Sequence, residues 1–161
     1  MSTLTFSDLK SPRALVLLGI FLVVVIGVGS VLGILTAPGE WYANLDKPPF
    51  NPPSWVFGPV WFALYVLIAI AGWRTFLAEP GGTGMKFWYA QMALNWLWSP
   101  VFFALQGLWP AFIVIIAMWA AIVAFIVSRW NRDRLSAWLF VPYLAWVSFA
   151  SVLNLSIAIL N

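Results

Sequence analysis

The chain contains no cysteine and no histidine. Those absences remove thiolate nucleophiles, disulfides, the usual zinc sites, the common proximal haem ligand and histidine-based hydrolytic triads. Charge is almost as scarce: Asp, Glu, Lys and Arg make up 8% of the residues, against about a quarter in soluble domains. Every one of them falls at the end of an apolar block or in a connection. The blocks therefore lack the ionisable groups that mark proton relays and ion-coupled pumps, and an ion-driven carrier of ordinary design does not fit. No repeat of fixed period and no low-complexity tract stands out, and 161 residues leave no room for a second domain, so one domain over 1–161 is expected.

What fills the sequence instead is apolar, at 63% hydrophobic residues. This is the composition of an integral membrane protein. Uncharged stretches of bilayer-spanning length predict an all-α bundle of five transmembrane helices at about 14–35, 55–77, 87–105, 111–128 and 135–160. The third and fourth are separated only by Gln106, Gly107, Leu108, Trp109 and Pro110, where Gly and Pro end one helix and begin the next. The first block is too long for the apolar part of a signal peptide and has no clean cleavage site, so it is expected to be a permanent helix. Lys10, Arg13, Arg74, Lys86, Arg129, Arg132 and Arg134 would share one side of the bundle and Lys47 alone the other. The positive-inside rule then places the N-terminus in the cytoplasm, with the 36–54 loop and the C-terminus opposite. The net charge of +3 follows from this topology and from anionic headgroups, so the expected partner is membrane lipid and not nucleic acid.

The 36–54 loop is the one long polar interruption. Pro48, Pro49, Pro52 and Pro53 fix φ and remove backbone donors, so it should run extended or turned, as a stiff lid carrying Trp41, Tyr42 and Phe50. Of twelve tryptophans, Trp55, Trp73, Trp88, Trp109, Trp130 and Trp138 lie near helix ends and read as interfacial anchors, whereas Trp61, Trp96, Trp98, Trp119 and Trp146 lie deeper. Gln91, Asn95 and Trp98 recur at i, i+4 and i+7 on one helix face, and Trp146, Ala150 and Asn154 at i, i+4 and i+8 on another. An unpaired amide in hydrocarbon costs several kcal/mol, so these faces meet other helices or a polar ligand group. Pro100 and Pro142 should kink the same two helices and open space between them. Gly29 and Gly33 form a GxxxG that would serve either contacts within the bundle or a dimer seam.

The pattern W-Y-x-x-L-x-K-P-x-x-x-P-P-x-W over 41–55 resembles the TspO/MBR family of tryptophan-rich sensory and translocator proteins. The similarity continues through 55–65 (WVFGPVWFALY), 91–103 (QMALNWLWSPVFF) and 142–154 (PYLAWVSFASVLN) in the same order and spacing. It implies a five-helix bacterial membrane protein, commonly a homodimer, whose pocket beneath the first loop takes porphyrins and related aromatic ligands. Carried over to matching positions, the ligand-binding residues would be Tyr42, Gly58, Trp61, Asn95, Trp98, Trp109, Trp146 and Ala150. The implied function is non-catalytic tetrapyrrole binding that contributes to transport or to regulation of tetrapyrrole metabolism. Light- and oxygen-dependent porphyrin degradation and simple transmembrane carriage are the alternatives. No cofactor is obligatory, and porphyrin or haem would be a ligand held without His or Cys. The segment 155–161 lacks the Tyr and basic residue of the animal cholesterol pattern, which argues against sterol binding by that route.

Overall fold

The computed structural model describes residues 9–161; residues 1–8 of the expected single domain lie outside the described residues. Ser11 caps the first helix by accepting from the Ala14 N–H, and Pro12 at the first helical position has no N–H to waste. That helix, α1, spans Pro12–Leu35. A single turn, α2 (Glu40–Asn44), follows inside the lid, and then α3 (Ser54–Ala78), α4 (Thr83–Ser99), α5 (Leu108–Trp130) and α6 (Arg134–Leu160). The described residues are all helix and connection. Four helices, α1, α3, α5 and α6, are long and apolar enough to cross a membrane, and the chain is a multi-pass membrane protein.

Two expectations about the elements need correction. The helix expected over 87–105 starts earlier and stops at Ser99, and Pro100–Ala104 forms a π turn. Pro100 has no N–H and its ring crowds the preceding carbonyls, so the backbone widens, and the Leu105 N–H reaches back to the Pro100 carbonyl at 2.9 Å. Gln106, at φ 54°, then reverses the chain in the left-handed region. The lid is not wholly extended either. No proline falls between Pro38 and Pro48, so the residues between them are free to make α2, with Glu40 in its first turn. The lid is also tied down: Asn161 accepts from the Asp46 N–H and donates to the Asp46 carbonyl, both at 3.0 Å.

Around the bundle, α1 packs on α3, α3 on α6, α6 on α5 and α5 on α4, with α4 touching α1 and α3 more lightly. Among the described residues the core forms two clusters, and in the larger one Phe125 stacks on Phe140 with ring centroids 4.0 Å apart. Trp73 and Trp88, expected as interfacial anchors, are buried instead, Trp88 within this cluster. Each finds a carbonyl inside the bundle, Trp73 that of Ala14 at 2.7 Å and Trp88 that of Ile68 at 2.9 Å, and the Trp88 ring lies against Gly72 where any Cβ would collide. A glycine opposite an indole turns an end-of-helix tryptophan inward. Trp55, Trp109 and Trp138 remain exposed. Gly29 serves the bundle: the Tyr65 ring sits where its side chain would be.

Three of the seven basic residues expected on one side, Arg74, Arg129 and Arg132, form ion pairs there. Arg74 forms a two-pronged pair with Asp133, and Glu79 bridges Arg129 and Arg132. These contacts lock the α3–α4 connection to the α5–α6 connection.

Candidate ligand cavity

Between α1, α3, α4 and α6 the bundle does not close. A cavity of about 440 Å³ remains, within the usual size range of small-molecule sites. Its roof is Pro38 and Tyr42 from the lid, and Phe102 and Phe103 of the π turn close one flank. The widened turn at Pro100 swings these phenylalanines onto the lid, where Tyr42 meets their rings edge-on at 6.1 and 5.3 Å.

Of the residues carried over from the sequence resemblance, Tyr42, Gly58, Trp61, Asn95, Trp98, Trp146 and Ala150 all line this space. Trp109 does not. It sits in the first turn of α5, a helix that contributes nothing to the walls, and it is 53% exposed beside Phe112. Four indoles, two phenols and four phenyl rings line the walls. Trp61 leans on Tyr65 at 5.4 Å between centroids, and Trp98 is tilted against Phe102 at 5.1 Å. Trp146 is braced by Phe57 and Phe149. Each ring is fixed by its neighbours, which gives a flat ligand preformed faces to stack on.

The amides in the walls are committed to protein partners. Asn95 accepts from the Tyr65 hydroxyl at 3.2 Å and donates to the Tyr143 hydroxyl at 2.9 Å, and Tyr143 continues to the Met118 sulfur. Asn154 accepts from the Trp98 indole at 3.1 Å and donates to the Leu108 carbonyl at 3.0 Å. Thr36 and Ser99 share a hydrogen bond that joins the end of α1 to the end of α4. Gln91, on the same stripe as Asn95, donates to the carbonyl of Trp88 in its own helix and is not part of the wall. The indole N–H groups of Trp96 and Trp146 are buried without a hydrogen-bond partner, and both residues line the cavity.

Tyr65, Phe57 and the Thr36–Ser99 pair were not singled out in the sequence. Tyr65 was within reach of that reading, since it follows Trp61 by four residues and so shares its helix face. The Thr36–Ser99 contact joins residues 63 apart and leaves no local signal. Among the described residues no charged side chain lines the cavity and no cluster of metal-binding side chains occurs. Burial in the roof raises the pKa of the Tyr42 phenol, which is thus neutral at physiological pH.

The opening is on one side. The lining residues that are also exposed are Ser30, Gly33, Ile34, Pro38, Gly58 and Phe62, all from α1, α3 or the connection between them. A Cβ added at Gly33 or Gly58 would meet nothing. The cavity therefore opens between α1 and α3, on a surface otherwise covered by Val, Leu and Ile side chains of α1.

Comparison with known proteins agrees with this architecture. The model of the TspO/MBR family matches residues 20–160. A tryptophan-rich sensory protein of Cereibacter sphaeroides is 41% identical over 138 residues, covering 84% of this chain and 85% of that protein. Protein CrtK of Rhodobacter capsulatus is 41% identical over 133 residues, covering 80% and 83%. The human translocator protein is 36% identical over 138 residues, covering 79% and 80%.

Proposed function

The chain belongs to the TspO/MBR family, and from that premise we propose that it binds porphyrin-type tetrapyrroles in the cavity between α1, α3, α4 and α6, contributing to their transport or to regulation of their metabolism. The observation that carries this reading is the convergence of Tyr42, Trp61, Trp98 and Trp146 from the lid and three helices on one uncharged cavity. Planar, polarisable walls favour a planar aromatic ligand. The unpaired Trp96 and Trp146 donors add to this. A ligand oxygen or nitrogen within reach of either would recover part of the about 1–3 kcal/mol that a buried unpaired donor costs.

In this reading α4 and its π turn form the fifth membrane crossing. The ion-paired connections face the cytoplasm by the positive-inside rule, and the lid lies on the opposite side. Any haem would be held by stacking and polar contacts, without a His or Cys ligand.

Saturable quenching of tryptophan fluorescence by protoporphyrin tests the proposal, because several indoles would lie against the bound ring. Replacing Trp146 by Ala should weaken binding by about 1–3 kcal/mol, the scale of a lost aromatic contact. An unchanged affinity in a folded Trp146→Ala protein would remove this wall from the site. Absorbance followed in light and oxygen during the same titration separates binding from degradation.

A further inference from the structure

Among the described residues the cavity has no charged side chain, and its unpaired donors, the Trp96 and Trp146 N–H groups, are neutral. Asn95 and Asn154 are bonded to protein groups, and Thr36 and Ser99 to each other. A carboxylate drawn inside would lose its hydration with no countercharge to replace it. An anionic ligand must therefore leave that group outside, and the roof is where a cation is found.

Lys47 is the only basic residue of the 36–54 lid. Its ammonium lies 4.7 Å from the centroid of the Tyr42 ring, and that ring is itself part of the cavity wall. Two of its protons go to the Ala43 and Leu45 carbonyls, at 3.1 and 2.9 Å, which leaves a third uncommitted. The lid carboxylates of Glu40 and Asp46 do not pair with it: the ion pairs among the described residues all belong to Arg74, Arg129 and Arg132 at the other end of the bundle. Lys47 is thus a positioned ammonium at the roof, held by carbonyls and not neutralised by a carboxylate.

We propose that Lys47 anchors an anionic group of the cavity ligand, so that a flat apolar body lies among the tryptophans while its carboxylate stays at the roof beside Tyr42. This rests on the reading of the cavity as a porphyrin site and adds to it a ligand orientation and a preference for amphipathic acids. Stacking supplies contact area in this arrangement, and the ammonium supplies discrimination.

The test uses protoporphyrin IX and its dimethyl ester, titrated by fluorescence quenching against the full chain in neutral detergent. Wild type is compared with Lys47→Met and Lys47→Arg. Lys47→Met should weaken the free acid by about tenfold, the scale of a charge-assisted hydrogen bond, and leave the ester unchanged. Lys47→Arg should retain most of the acid's affinity. If Lys47→Met weakens acid and ester alike, Lys47 acts only by holding the lid through Ala43 and Leu45, and the proposal falls while the site stands. Unchanged affinity for both ligands overturns it equally. If wild type takes up neither ligand saturably, the site reading falls and this proposal with it.

Discussion

Asp133 shows how much one side chain fixes in this chain. It accepts from Arg74 Nε and a terminal guanidinium nitrogen at 3.1 and 2.9 Å, from the Ser136 hydroxyl at 2.5 Å, and caps the start of α6. Burial alone would raise its pKa. The hydrogen bonds from Arg74 and Ser136, with the Arg74 charge, outweigh that and hold it below the ordinary aspartate value. Asp133→Asn keeps the cap but strands the arginine, and should cost about 1–3 kcal/mol in thermal or denaturant unfolding in detergent. A depressed carboxylate pKa gives stability that is complete above the ordinary aspartate range and is lost as pH falls through the lowered value. The gap between wild type and Asp133→Asn should therefore narrow below about pH 4; a gap independent of pH would mean the carboxylate charge is not the cause. At this scale residue type and helix spacing put Asn95 and Trp146 on faces that meet other elements, Trp61 came from the family resemblance, and all three line the cavity. The sequence failed for Trp73 and Trp88. Position near a helix end suggested lipid, and only the packing of Gly72 and the carbonyls of Ala14 and Ile68 turned them inward.

At the scale of elements, the seam between α1 and α3 sets how the cavity communicates. Gly29 closes its inner part by seating Tyr65, and Gly33 and Gly58 leave its outer part open. The lid is pinned to Asn161 and packed on Phe102 and Phe149, and Pro48 within it is buried. A ligand dissolved in the bilayer therefore meets less obstruction at the seam than at the roof. Gly33→Leu combined with Gly58→Leu should slow association by about tenfold or more, a barrier increase of roughly 1.4 kcal/mol. Stopped-flow rates equal to wild type in that variant, with altered rates after Pro48 and Pro49 are changed to Gly, would place the route at the lid. The apolar blocks made the long helices predictable, since a run of uncharged residues has few other stable forms in a bilayer. The π turn was not predictable in form. Pro100 announces a break in the α ladder, but whether the chain kinks or widens depends on what packs against Phe102 and Phe103.

For the molecule as a whole, the distribution of charge and aromatic surface is one design. Ion pairs tie the connections at one end, the middle is apolar core, and toward the lid four helices separate around an aromatic, uncharged space. The arrangement of helices around that space was not legible from composition. Which helices line it follows from long-range packing, and this is why Trp109, carried over as a ligand-binding residue from the family resemblance, stands outside it on α5. The proposed ligand of this space is a tetrapyrrole. The most direct measurement is a crystal structure of the complex with palladium protoporphyrin, whose metal needs no axial ligand from the protein and can be located by anomalous scattering. The peak should fall between α1, α3, α4 and α6, within stacking distance of the Trp61 and Trp146 rings. A peak on the outer surface of the bundle, with the cavity unchanged, would contradict the account.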